Sequence, residues 1–92
     1  MPTITLTVNH SAGLHARPAA LFVKMAASFP CAITVRNITS NKTAANAKSV
    51  LSVLTQGVNQ GQMVEITAEG DSADQALQSL KELVENNFGE GH

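Results

Sequence analysis

Residues 63–88 read MVEITAEGDSADQALQSLKELVENNF, and within this stretch the spacing of the apolar residues changes from every second position to every third or fourth. In its first part, Val64, Ile66 and Ala68 alternate with polar residues, which is the period of a strand with one buried face. The stretch therefore predicts a strand over residues 63–69, and the change of period predicts a helix after it.

The predicted helix begins with Ser72 followed by Gln75. This pair fits a capping box, in which each side chain satisfies a free amide of the first helical turn. Gly89 is expected to end the helix. The apolar residues recur at helical spacing and form a wide face suited to cover a sheet. They are Ala73, Ala76, Leu77, Leu80, Leu83, Val84 and Phe88.

The amino-terminal third of the chain has the same order of strand and helix. Residues 3–8 alternate apolar and polar side chains and predict a first strand. Residues 9–15 carry turn formers, and Pro18 stands where the first turn of a helix should begin, since its missing N–H is harmless there. Pro30 is expected to stop this helix. The apolar residues of the helix are Ala19, Phe22, Val23, Ala26 and Phe29.

The middle of the chain predicts two more strands and a short helix. Residues 32–37 alternate again, and residues 42–45 are expected to form a short partner strand across a turn. Asn46 is expected to cap a helix over residues 47–56, which Gly57 ends. The apolar residues of that helix are Val50, Leu51, Val53 and Leu54.

The predicted order is β-α-β-β-α-β-α. Four half-buried strands with polar outer faces, combined with amphipathic helices, are most simply packed as one antiparallel sheet with its helices on one side. The sequence therefore predicts the α+β class, an open-faced β-sandwich with a four-stranded antiparallel sheet and three helices on one face. Since 92 residues have one core to build, residues 1–92 are expected to form a single domain.

Composition narrows the function classes. The formal net charge is -1, so the basic footprint of a sequence-independent nucleic-acid binder is missing. No stretch approaches a membrane-spanning length, and a lone Cys31 favours the cytosol. The scattered histidines show no ligand spacing for a metal. We therefore expect a cytoplasmic protein with neither membrane insertion nor nucleic-acid binding.

One segment does not resemble ordinary packing: residues 13–19, GLHARPA, which place an imidazole and a guanidinium at a loop-to-helix junction. Amides at a helix start point outward and favour anions such as phosphate. The same positive end favours the neutral, nucleophilic form of His15, and Arg17 adds donors suited to phosphate oxygens. The alternative is that His15 is a helix cap or a surface residue. His10 and His92, which lack such neighbours, are expected to be solvated surface residues.

The GLHARPA segment resembles the phosphorylation site of the HPr family, the histidine-containing phosphocarriers of the phosphoenolpyruvate-dependent sugar phosphotransferase system. The resemblance extends over nearly the whole chain, because residues 46–70, NAKSVLSVLTQGVNQGQMVEITAEG, are similar to the family's second-helix region. Two features depart from the family pattern. Ala12 replaces a small polar residue that is common in relatives, and residues 37–46 form a longer loop than usual.

The resemblance implies that His15 accepts a phosphoryl group on Nδ1 from phosphorylated enzyme I and passes it to enzyme IIA components during sugar uptake. Arg17 matches the residue that steadies the phosphoryl oxygens. Ala16 and Pro18 complete the phosphate-binding segment, because they match the start of the helix whose amides help to bind the group. The chain would then be a carrier without a cofactor rather than an enzyme with turnover of its own.

The resemblance also implies regulation. Ser49, after Lys48, falls at or near the serine that some relatives present to a dedicated kinase, so a serine kinase or phosphorylase would be a further partner. The long loop leaves the alignment open by about a residue, which makes Ser52 the competing candidate. A plain helix-start role for Ser49 is the other alternative.

A shuttle that docks on donor and acceptor in turn should expose a modest apolar patch near its phosphoryl site. The candidates are Leu21 and Lys24 on the first helix and Val50, Leu51 and Leu54 on the second. Core packing is the alternative for the aliphatic residues, although we expect Leu51 to be exposed. A monomer is expected.

Two rival functions stay open at this point. One is a nitrogen-related paralogue with the same chemistry but a different acceptor. The pair Lys48 and Ser49 favours the sugar branch over this rival. The other is a regulatory module of the same fold that acts by contact alone, against which the presence of His15 argues.

Overall fold

The computed structural model describes residues 2–89 of the chain. Its elements follow the predicted order and end in one additional turn of 3₁₀ helix. They are β1 (Thr3–Thr7), α1 (Ala16–Ala27), β2 (Ala32–Asn37), β3 (Ala45–Asn46), α2 (Val50–Leu54), β4 (Met63–Glu69), α3 (Ala73–Glu85) and the 3₁₀ turn (Asn87–Gly89).

The four strands form one antiparallel sheet in the order β1-β4-β2-β3. β4 lies between β1 and β2, and the register places Leu6 opposite Val64 and Val35 opposite Ile66. All four of these side chains are buried, because alternate residues of paired strands face the same side. The predicted fold class is therefore confirmed, with the helices on the apolar face of the sheet.

The core lies between this face and the helices. α3 packs on β1 and β4, and α1 packs on α3 and α2. Phe22 of α1 and Leu80 of α3 are fully buried, as their helical spacing predicts. Within residues 2–89, no helix combines the length and the apolar character needed to cross a membrane.

The third strand differs from the prediction: it covers Ala45–Asn46 rather than residues 42–45. The loop before it uses its hydrogen-bonding groups locally, because Lys42 N–H donates to Asn37 O at 3.0 Å and Ser40 N–H donates to Asn37 Oδ1 at 3.1 Å. Pairing with β2 begins only where Ala45 reaches Val35.

The second helix is shorter than predicted and has a different cap. It covers Val50–Leu54, and Ser49 is its N-cap, with Oγ accepting from Ser52 N–H at 3.3 Å. The prediction that Asn46 caps this helix is wrong, because Asn46 is paired in β3. Its Oδ1 instead accepts from Lys48 N–H at 2.9 Å and closes a local turn.

The predicted capping box of the third helix is also wrong, although the helix itself is confirmed. Ser72 lies in the left-handed region, with φ 65° and ψ 22°, and its side chain makes no capping hydrogen bond. A capping side chain reaches the first turn from an extended backbone, so this conformation directs Ser72 away from that role. At the other end, α3 stops at Glu85. Phe88 belongs to the separate 3₁₀ turn, and its side chain is buried.

Candidate functional site

Two loops at one end of the sheet are joined by backbone hydrogen bonds. The loop after β1 and the loop before β4 meet where Gly61 N–H donates to Val8 O at 2.7 Å and Leu14 N–H donates to Val58 O at 2.9 Å. Leu14 and Val58 are both buried, so the pairing also closes this end of the core. These bonds hold the two loops, residues 8–15 and 55–62, together as one platform immediately before α1.

Gly13 is required by the close approach of these loops. Its φ is +65°, and a Cβ at this position would lie 2.3 Å from Val58 O and 2.8 Å from Asn59 Cα. These distances are too short for real atoms, so any side chain would force the loops apart. The glycine of the GLHARPA segment thus determines where the residues after it lie.

His15 is the N-cap residue of α1, in extended backbone with φ -128° and ψ 166°. The residue is half-buried. Its ring atom Nε2 lies 3.2 Å from Oδ1 of Asn59, on the other loop of the platform. The imidazole therefore stands at the helix start, as its sequence position predicts, and a contact 44 residues away in sequence orients it.

The start of α1 has an unusual backbone conformation, and its N-cap side chain does not cap it. His15 makes no side-chain capping hydrogen bond, and Ala16 has a positive φ of 50°, which L-residues other than Asn and Asp rarely adopt. Arg17 is exposed, and buried Pro18 has no N–H to contribute. Ala16 and Arg17 are the first two residues of α1, so their amides lie at the positive end of the helix dipole, where an anion is favoured.

His10 is not the solvated surface residue that the sequence predicts. It is only 6% exposed, and its Nδ1 accepts a hydrogen bond from Ala12 N–H at 3.0 Å. Its ring meets Phe88 edge to face, with the centroids 5.9 Å apart. The prediction was wrong because the contact with Phe88 joins residues far apart in sequence, and the local turn satisfies the ring nitrogen. His92, also predicted to be solvated, lies outside the described residues.

The two serine candidates for regulation occupy different positions. Ser49 is the N-cap of α2, and Ser52 lies inside that helix; both are half-buried. The alternative interpretation of Ser49 as a helix-start residue therefore describes its structural role.

The candidates for the docking patch lie on two helices, α1 and α2. On α2, Val50, Leu51 and Leu54 are 44%, 75% and 37% exposed, so the expectation that Leu51 is exposed is confirmed. Leu21 is half-buried, and with Lys24 it lines a shallow apolar pocket of about 270 Å³ between α1 and α3.

Sequence reasoning missed three linked amide residues, Asn59 and Gln62 on the platform and Asn37 in the core below it. Asn37 is fully buried, and its Nδ2 donates to Gln62 Oε1 at 3.1 Å. The same Oε1 accepts from Asn59 N–H at 2.9 Å. Asn37 follows Ile33 and Val35 on the inward side of β2, so its position in the alternation could have revealed it. Nothing in the local sequence of Asn59 indicates its contact with His15.

Comparison with known proteins gives a consistent result. Residues 2–86 match the model of the family described as PTS HPr component phosphorylation site. The chain is 35% identical over 91 residues to the phosphocarrier protein HPr of Pseudomonas aeruginosa, covering 99% of both proteins. It is 38% identical over 86 residues to the multiphosphoryl transfer protein of Haemophilus influenzae, but covers 17% of that protein's length.

Solved structures show the same relationship. A crystal structure of HPr from Thermoanaerobacter tengcongensis superposes with a TM-score of 0.92 at 41% identity, over 98% of each chain. HPr from Bacillus anthracis superposes with a TM-score of 0.84 at 35% identity, over 90% of this chain and 95% of that one. With the same order of elements and a histidine at the start of α1, the chain belongs to the HPr family of phosphocarrier proteins of the phosphotransferase system.

Proposed function

We propose that His15 accepts a phosphoryl group on Nδ1 from phosphorylated enzyme I and passes it to enzyme IIA components during sugar uptake. The observation that carries this proposal is the position of the imidazole as N-cap of α1, where its own side chain makes no capping hydrogen bond. A phosphoryl group on the ring can accept hydrogen bonds from the first-turn amides and from the guanidinium of Arg17. Ala16 and Arg17 contribute amides, and Pro18 holds the turn.

Incubation with phosphoenolpyruvate, magnesium and enzyme I tests the site. We expect an acid-labile, base-stable adduct in the native protein, the stability expected of a phosphorus–nitrogen bond. His15→Ala should form none, whereas His92→Ala, which removes a different imidazole, should be phosphorylated normally. Circular dichroism would establish that both variants are folded. An adduct on folded His15→Ala would refute the site assignment.

Reconstitution with separate acceptors tests the branch of the family. We propose that sugar-type IIA proteins are the acceptors, supported by Lys48 followed by Ser49 at the start of α2. Phosphorylated protein should transfer faster to a sugar-type IIA than to a nitrogen-type IIA. The opposite preference would assign the chain to the nitrogen-related branch, and failure to transfer to either would favour a regulatory module.

The same docking surface should serve donor and acceptor. We propose that it comprises Leu21 and Lys24 of α1 with Val50, Leu51 and Leu54 of α2. The exposed fraction of Leu51 supports its place at the centre of the patch, because exposed apolar side chains are favoured at transient interfaces. Leu51→Asp should weaken binding of both partners, whereas Lys81→Asp on α3 should not. Unchanged affinity in Leu51→Asp would contradict the proposal.

Ser49 is the proposed regulatory serine. Its hydroxyl caps α2, and a phosphate there would add negative charge where the helix dipole favours it, so the modification need not unfold α2. An HPr serine kinase should modify the native chain and Ser52→Ala but not Ser49→Ala. Modification of Ser49→Ala would transfer the assignment to another serine.

We further propose that residues 1–92 act as a single, monomeric domain in the cytoplasm. The lone cysteine supports a reducing compartment, and the small, transient contacts of a carrier do not require self-association. Light scattering after size exclusion should give the mass of one chain, and the mass of a dimer would refute this.

A further inference from the structure

The hydrogen bond between His15 and Asn59 has one donor, the His15 ring, and one acceptor, the Asn59 side-chain oxygen. Oδ1 of Asn59 is a carbonyl oxygen and can only accept, so the ring atom Nε2, 3.2 Å away, must donate. A neutral imidazole carries one proton on its nitrogens. When that proton is on Nε2, the other nitrogen, Nδ1, carries the lone pair.

The backbone of Asn59 is linked to the buried residue Asn37 through the half-buried side chain of Gln62. Its N–H donates to Oε1 of Gln62 at 2.9 Å, and the same oxygen accepts from Nδ2 of Asn37 at 3.1 Å. Asn37 is fully buried, and its N–H donates to Oε1 of Gln56 at 2.8 Å. These bonds connect the loop to a buried side chain whose polar atoms all have partners, so they restrict the position of the backbone that carries Asn59.

We infer that Asn59 is a positioning residue of the phosphoryl site, which holds His15 as the Nε2–H tautomer with its lone pair on Nδ1. This inference rests on the proposed function in one respect, the identity of the reacting nitrogen. It adds a residue that lies outside the GLHARPA segment and on a different loop.

The same contact favours the transfer step. The lone pair of Nδ1 forms the N–P bond while the bond from phosphorus to the donor breaks and its electron pair returns to the donor. The ring thereby gains positive charge, which it shares with Nε2–H. Oδ1 of Asn59 faces that proton, so the hydrogen bond strengthens as the charge develops and favours the transition state more than the free ring. Transfer to the acceptor reverses these changes.

Nitrogen-15 NMR of the histidine rings tests the inference directly, because protonated and unprotonated ring nitrogens have different shifts. In alkaline buffer, where the ring is neutral, native His15 should show the proton on Nε2. Asn59→Ala should move the ring toward the tautomer mixture of a free histidine side chain. Asn59→Asp, which keeps an acceptor oxygen, should restore the native tautomer.

Gln60→Ala is the matched control, because Gln60 lies on the same loop but its side chain donates to Asn9 O at 3.2 Å and not to the ring. It should leave the His15 tautomer unchanged. A native ring with its proton on Nδ1 would overturn the inference, as would an identical tautomer ratio in Asn59→Ala and the native protein. The first of these results needs no variant, so it holds even if Asn59→Ala does not fold.

Phosphorylation kinetics separate this inference from the proposed function. Asn59→Ala should still be phosphorylated on His15, but about three- to tenfold more slowly, the effect expected for the loss of one hydrogen bond. An unchanged rate would refute the kinetic part of the inference while leaving His15 as the acceptor. An absence of phosphohistidine in the native protein would refute the proposed function, whereas the tautomer measurement would still decide the role of Asn59 toward the ring.

Discussion

The starts of α1 and α2 differ in whether the side chain of the N-cap residue caps the first turn of the helix. At α2, Ser49 has an extended backbone and its Oγ accepts from Ser52 N–H, so the helix caps itself. At α1, the N-cap is His15, whose side chain makes no capping hydrogen bond, and Ala16 has a positive φ. The positive φ of Ala16 and the lack of a capping bond from the N-cap side chain both cost free energy. A helix start that is left open in this way is suited to bind an external anion, whereas a capped start is suited to stability.

The largest expected effect is on the platform that sets the start of α1. Gly13→Ala would place a Cβ 2.3 Å from Val58 O, so the two loops must separate. We expect a loss of roughly 2–4 kcal/mol in the free energy of unfolding, from overpacking and a left-handed backbone together.

Gly57→Ala is the control for this clash. Gly57 also has a positive φ, of +59°, but nothing lies within 4 Å of the point where its Cβ would stand, so only the backbone cost of about 1 kcal/mol should appear. Urea denaturation measures both variants. Equal losses would show that the close approach of the loops is not what requires Gly13.

The next effect concerns the charge at the open helix start. Arg17→Glu should slow phosphoryl transfer by about tenfold or more, because it replaces a cation with an anion beside the phosphoryl oxygens. Lys42→Glu makes the same change of net charge in the loop between β2 and β3 and should transfer at the native rate. Equal slowing in both variants would attribute the effect to net charge rather than to the start of α1.

A smaller effect is expected at the capped start. Ser49→Ala should lower the free energy of unfolding by about 0.5–1 kcal/mol, since it removes the capping acceptor of α2. Ser72→Ala should have almost no effect, because Ser72 makes no capping hydrogen bond at the start of α3. Thermal unfolding of the two variants measures the difference. A larger loss of stability in Ser72→Ala than in Ser49→Ala would contradict the structure and show that Ser72 caps α3.

The smallest effect should be a gain at the open start. Ala16→Gly should raise the free energy of unfolding by about 0.5–1 kcal/mol, because glycine adopts a φ of 50° without steric cost. Ala20→Gly, at an exposed position inside α1, should lower it by a similar amount, about 0.5–1 kcal/mol. Urea denaturation measures both changes. If both variants are destabilised, the start of α1 is not strained.

The strands and the long helices could be predicted because their signal is local. The alternation of Val64, Ile66 and Ala68 identifies β4, and that sheet face is buried as expected. The helix caps were predicted less well. Asn46 and Ser72 are residue types that favour N-cap positions, but the backbone conformation of each prevents that role. Asn46 is paired in β3, and Ser72 is left-handed.

His10 and His15 show the same limit at the level of single residues. His15 could be selected from its neighbours, since a glycine, an arginine and a proline surround it in sequence. The buried ring of His10 contacts Phe88, and the ring of His15 contacts Asn59. Neither partner is near in sequence, so no local pattern could identify it.

The sequence by itself determined where the three longer strands lie and which imidazole stands at a helix start, because hydrophobic period and the order of Gly13, His15 and Pro18 act over a few residues. Only the tertiary structure decided which nitrogen of that imidazole faces Asn59, because the pairing of Leu14 with Val58 joins two loops that are distant in sequence. The physical reason is that hydrogen bonds between loops exist only after the sheet has brought the loops together.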